Sequence, residues 1–218
     1  VRNDLRPQKA AMRPFEKIQI DAMELRDIPM YAQHITQKRL PRFQYTARDL
    51  RTGAAWFAFA DNNDSFNAGL FGAYLLAHLK RCGVDLTQTT FQSDNGVEFV
   101  GHADKRNPNP SLFEALVAHY TTRRSVAIFP GAKTSQSDVE AFHSLVQSEL
   151  YEVENLSSQQ LLLGRARTYQ AYFNHIRKNL WRGARTPAMI LKEALDDIAD
   201  AAAAIDPAVL TPVSYTHL

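Results

Sequence analysis

The order of short strand-like runs and longer helix-like runs constrains this chain more than any other feature. Residues 17–24 (KIQIDAME) alternate in the strand manner, with Ile18 and Ile20 on one face and Gln19 and Asp21 on the other. Residues 43–48 and 54–60 read as two further strands, and Arg51-Thr52-Gly53 between them is a turn signal that predicts a hairpin. Asp64 or Ser65 caps a helix running to about residue 81, striped by Phe66, Leu70, Ala73 and Ala77 and stopped by Gly83. Strand-prone runs at 89–92 and 125–129 follow, the second broken by Pro130-Gly131. A Pro/Asn-rich loop at 101–110 and a short helix at 111–119 lie between them. Apolar stripes then predict a helix over 135–151 (Val139, Phe142, Val146, Leu150) and one capped by Ser157 (Leu162, Ala166, Tyr169, Phe173, Ile176). A last helix runs from Pro187 to about 204. Three strands in a meander, followed by strands alternating with helices, predict an α/β fold with a mixed sheet and helices on its faces. Residues 1–16 hold two prolines and no sustained periodicity, so a basic linker or arm is expected there; 26–42, with Pro29 and Pro41, reads as a loop.

Composition narrows the class. A chain of 218 residues can bury a core without covalent staples, and 45% apolar with 22% charged residues is ordinary for a soluble globular protein. The single cysteine, Cys82, excludes a disulfide framework and forms no zinc ligand set with His102, His119 and His175. No run is long and apolar enough to span a bilayer, and no apolar segment of a signal peptide follows the basic start. The chain begins at Val1 and reads as a fragment; its last six residues, VSYTHL, resemble translated adapter sequence and are read as foreign. Net charge is only +2, but it is unevenly spread: residues 155–192 carry seven basic residues and no acid. Such asymmetry suits a polyanionic partner, and a solvated basic face explains it equally well.

Three carboxylates stand at positions where chemistry is commonly built. Asp21 lies in the first strand, Asp94 just past the end of a later one, and Glu140 in the first turns of a helix at the edge of its apolar stripe. Each has a plain explanation taken alone: an exposed strand residue, an Asp-Asn-Gly turn, and compensation of a helix dipole. Spacing and composition do not establish a site.

The words around these residues add to that reading. QIDAMEL (19–25), FQSDNGVEF (91–99) and KTSQSDVEAFHSLVQSELYE (133–152) resemble the catalytic core of the DDE transposase and retroviral-type integrase superfamily, in particular bacterial insertion-sequence transposases. The likeness covers about residues 13–192 and includes a later ARTPAMIL word. It implies an RNase H-like fold, a mixed five-stranded sheet with flanking helices, and three catalytic, metal-binding carboxylates falling on Asp21, Asp94 and Glu140. Two departures stand out: 46 positions separate Asp94 from Glu140, more than is usual in the family, and Gln136-Ser137-Asp138-Val139-Glu140 stands where Asn-Gly-x-Val-Glu is common, with Ser137 as the small residue and Asp138 adding a charge.

The resemblance implies phosphodiester chemistry on DNA. Two Mg²⁺ ions (Mn²⁺ as substitute) about 3.5–4 Å apart would activate the attacking water or 3′-hydroxyl and stabilise the leaving oxygen, with Asp21 serving both ions. Without metal the clustered carboxylates would repel, raising at least one pKa. Asn95 and Glu98 are candidate supports of the site; Lys133, His143, Arg177, Lys178, Arg182 and Arg185 are candidate DNA contacts, with Tyr169, Tyr172 and Trp181 interleaved among the basic residues. The expected partners are transposon-end and target DNA and further copies of the chain, with no membrane and no nucleotide cofactor, in a cytoplasmic, nucleoid-associated setting. Nothing in the first 17 residues is long enough for a helix-turn-helix. The expected organisation is an arm (1–16), a catalytic core (17–195) and a terminal helix end and tail (196–218). Two other functions remain open: an RNase H-like nuclease that cuts without joining, and an inactive DNA-binding remnant of a mobile element.

Overall fold

In a computed structural model of the chain, residues 5–101, 109–123, 125–127 and 137–211 are described. Five strands form one mixed sheet: β1 (Lys17–Glu24), β2 (Phe43–Asp49), β3 (Ala55–Ala60), β4 (Thr90–Ser93) and β5 (Val126–Ala127), in the order β3-β2-β1-β4-β5. The first three pair antiparallel as the expected meander, and β4 and β5 add parallel to β1. The hairpin turn is fixed by Asp49, whose carboxylate accepts from the Thr52 amide (2.8 Å) and hydroxyl (2.7 Å), while Gly53 supplies a φ of 77°.

Alternation along the strands sorts the sheet into two unlike faces. Ile18, Ile20, Tyr45, Ala47, Trp56 and Ala58 point into one core, covered by α3 (Ser65–Arg81), α4 (Leu112–Tyr120), α7 (Pro187–Leu195) and α8 (Ala199–Ala203). The other face is apolar on β3, where Phe57 and Phe59 meet α5 (Ser137–Val146) and α6 (Gln159–Ala171). On β1 and β2 that same face carries Gln19, Asp21, Gln44, Thr46 and Arg48, all polar and all but Asp21 buried. The sheet therefore presents a polar patch beneath α5.

Several elements differ from their sequence reading. The arm holds a short helix, α1 (Arg6–Ala11). The supposed loop holds α2 (Pro29–Lys38), because Pro29 occupies the first helical turn, where its missing N–H costs nothing. Ser158, rather than Ser157, caps α6. The helices after α4 also end differently: α5 runs on as a π-helical turn over Gln147–Tyr151, and α6 as another over Tyr172–Ile176. That second turn shifts the register by one residue, so Ile176, expected in the stripe, is 66% exposed. The final helix is broken at Asp196, whose φ is 45°. Residues 199–211, placed by the sequence beyond the core, pack into it through Ala199, Ala202, Ala203, Ile205 and Leu210.

That terminal segment also seals the open edge of β3. Phe59 donates to Ala208 O and accepts from Leu210 N; Asn174 pairs its amide with both backbone groups of Ala55, and Gln170 accepts from Phe57 N. Every second residue of the edge strand thus has a partner from outside the sheet.

Candidate active site

The register of the sheet brings the first two carboxylates together. In the parallel ladder Lys17 faces Thr90 and Gln19 faces Gln92, an offset of 73 residues; continued by two, it sets Asp21 beside Asp94. Asp94 opens the turn that ends β4, with its carboxylate accepting from Gly96 N at 2.9 Å. The turn reading of Asp94-Asn95-Gly96 holds, and the same turn keeps the Asp94 carboxylate near Asp21. Asn95 is exposed; Glu98 folds over Gly96 and accepts from the Asn63 amide at 2.8 Å.

Glu140 comes from above the sheet. Buried Gln19 holds the helix that carries it, accepting from Val139 N at 3.2 Å, while Val139 and Phe142 drive the apolar side of α5 inward. Glu140 lies between these two, exposed on the rim. Asp21 responds to its surroundings: burial first, then the charge of Asp94, and further Glu140 and Glu98, push its carboxyl up to about 7 against the opposing Ala22 N–H bond. The rise expected of clustered carboxylates is present, with desolvation as its first cause.

His143, one turn beyond Glu140, faces the same pocket. Its Nδ1 is 3.7 Å from Asp21 Oδ2, too long for a hydrogen bond, and its Nε2 is 3.0 Å from the Thr46 hydroxyl. Burial, then the Arg48 charge, lowers its pKa to about 4, so the imidazole is neutral. Thr46 faces Asp21 across β1 and β2 and accepts from Gln44, whose carbonyl accepts from the Tyr151 hydroxyl. A hydrogen-bonded chain thus runs from His143, beside Asp21, through Thr46 and Gln44 to Tyr151 at the far end of α5. Sequence reading missed Thr46, Gln44 and Tyr151; strand alternation would have found Thr46 once the β1–β2 register was known.

The carboxylates offer hard oxygen donors whose mutual repulsion a cation would relieve, and that chemistry fits a divalent ion. They are neighbours rather than a closed ligand set: among the described residues no three His, Cys, Asp or Glu side chains stand close enough to hold a metal.

The basic candidates lie along a groove behind α5. Lys178 is exposed; Arg177 pairs with Glu149 at 2.7 Å. Arg182 bonds to Leu50 O, Arg51 O and Asp138, and Arg185 pairs with Glu193. Asp138, the acid unexpected before Glu140, is also held by Lys9. Lys133 and the greater part of the 101–110 loop lie outside the described residues.

No family model matches the sequence, and no curated protein matches it. Solved structures do. A chain of the simian T-cell lymphotropic virus intasome complex aligns with a TM-score of 0.56 and 15% identity, over 81% of this chain and 54% of that one. The catalytic core domain of BIV integrase aligns with a TM-score of 0.50 and 17% identity, over 82% and 95%. The HTLV-2 integrase catalytic core domain in complex with magnesium gives 0.48 and 14%, over 82% and 96%. The chain therefore spans about half the length of the intasome chain and nearly all of the BIV integrase core. The fold is the RNase H-like fold of integrase catalytic cores, a mixed five-stranded sheet with flanking helices. Among the described residues no helix is long and apolar enough to cross a membrane.

Proposed function

We propose that the chain is a DNA transposase or integrase core that nicks DNA ends and joins the freed 3′-hydroxyl to target DNA. The observation that carries this reading is the nearness of Asp21 in β1 to Asp94, just past the end of the adjacent parallel strand β4, beneath the helix of Glu140. Mg²⁺ bound by these three residues would supply a Lewis acid and an activated hydroxyl. The chain's own part is to gather the carboxylates, to keep His143 neutral beside Asp21, and to set Asn95 and Glu98 in the loop around Asp94. In the first step water attacks the phosphodiester and the 3′-oxygen departs; in the second that 3′-hydroxyl attacks a target phosphorus and displaces a target 3′-oxygen. Lys178, with Arg177, Arg182, Arg185 and Lys133, would meet backbone phosphates, self-association would pair DNA ends, and the nucleoid would be the place of action.

Oligonucleotide joining in Mg²⁺ or Mn²⁺ tests the proposal. Asp94→Asn should abolish both nicking and joining while leaving the circular dichroism spectrum unchanged. Retained joining in that variant ends the assignment. Nicking without joining by the unaltered protein would leave the nuclease. Mn²⁺ should also raise the melting temperature of the unaltered protein and not of Asp94→Asn, a readout independent of turnover.

A further inference from the structure

Behind α5 lies an open groove of about 1680 Å³, walled by α1, the outer face of α5 and the 177–185 loop. Its lining holds eight basic side chains against two acidic ones, in a molecule whose net charge is only +2. Both acids are already engaged: Asp138 by Lys9 and Arg182, Glu149 by Arg177. Among the described residues neither Arg51 nor Lys178 reaches a carboxylate.

The floor is Arg48. Its guanidinium lies 5.6 and 5.2 Å from the ring centres of Phe142 and Phe173, and the residue is only 4% exposed. Its Nε and Nη1 hydrogens have no acceptor. Two ring contacts return only part of what it costs to take an ion out of water. The fold thus keeps a buried cation with two unbonded N–H groups at the bottom of a basic groove, and the Asp138 charge that acts on it is shared with Lys9 and Arg182. On the rim, Leu180 and Trp181 are 82% and 76% exposed, with the Arg6 guanidinium 4.8 Å from the Trp181 ring.

We propose that this groove binds a single DNA strand, with a backbone phosphate on Arg48, flanking phosphates on Arg51 and Lys178, and an unpaired base on Trp181. A flexible strand suits it because the phosphate must enter the groove to meet Arg48, and a rim aromatic offers its face only to a base free of its partner. The inference rests on the reading of the chain as a DNA-joining enzyme and names the strand it holds. Arg48 stands two residues along β2 from Thr46, on the same face, so the strand would pass about 7 Å from Thr46, the cross-strand neighbour of Asp21.

Fluorescence anisotropy with a short labelled single strand, and with a duplex of the same sequence, tests this in EDTA. Failure of metal-dependent joining therefore leaves the groove measurement intact. Lys178→Glu and Trp181→Ala should each weaken single-strand binding about tenfold, and binding should fall steeply with salt. Arg48→Met should weaken binding as much while leaving the urea midpoint unchanged or higher, which a purely structural arginine would not do. Unchanged affinity in Lys178→Glu and Trp181→Ala overturns the proposal. So does equal or tighter binding of the duplex, or a destabilised Arg48→Met with unaltered affinity.

Discussion

Two aspartates, the half-buried Asp21 and the fully buried Asp49, set the pH response of the fold. Burial pushes Asp21 up to about 7, and pushes Asp49 up to about 6 despite its bonds from Thr52 and Phe15. A carboxyl raised in the folded state binds a proton that the unfolded chain has already released. Its stabilising contribution is complete below the unfolded value near 3.8 and is lost as pH rises to the folded value. Stability of the metal-free protein should therefore fall from about pH 4 to about pH 7, by about 1.4 kcal/mol per pH unit for each group within its window. Urea midpoints across that range measure it. In Asp49→Asn the slope between pH 4 and 6 should roughly halve, and the part due to Asp21 should persist to about pH 7.

At the scale of elements, helix packing and edge capping each give a number. A Cβ on Gly72 of α3 would come within 2.9 Å of the Phe113 ring, which is buried against Phe91 and Phe99. Gly72→Ala gains up to about 1 kcal/mol of helix propensity and incurs an overpacking cost of about 1–3 kcal/mol, so it should destabilise on balance. A lowered thermal midpoint is the expected result. Asn174→Ala removes the partners of both Ala55 backbone groups and of Ala203 O. At about 1–3 kcal/mol per buried group left unpaired, the loss should be at least about 2 kcal/mol by urea titration. The strands were legible because their alternation is local: Gln19 and Asp21 fell opposite Ile18 and Ile20 as the sequence implied. Less was legible in the helices. Pro29 starts one instead of breaking it, and the π-helical turn at Tyr172–Ile176 changes a period that a 3.6-residue stripe assumes. The candidate site divided in the same way, with the proposed carboxylates Asp21, Asp94 and Glu140 marked by their surrounding words, and their neighbours Thr46 and Arg48 marked only by cross-strand pairing.

For the whole molecule, the boundary of the folded unit is the testable matter. A chain ending at residue 195 would match the expected core, yet it would lose Ala199, Ala202, Ala203, Ile205 and Leu210 from the interior. It would also leave Phe59 of β3 without its partners in Ala208 and Leu210. Such a truncation should aggregate or elute as mixed oligomers on size exclusion, whereas a chain ending at residue 211 should remain cooperative in unfolding. An exposed β3 would be a template for strand addition, so the C-terminal segment works as a built-in cover.

The two tryptophans occupy opposite extremes of environment. Trp56 is wholly enclosed, its indole N–H donating to Ala202 O at 2.9 Å, and Trp181 stands at the mouth of the basic groove. The protein consequently carries its own pair of optical probes. A soluble quencher should extinguish only the red-shifted emission of Trp181, leaving the blue-shifted emission of Trp56 to follow the opening of the core, so occupancy of the groove and integrity of the fold can be watched separately in one unlabelled sample.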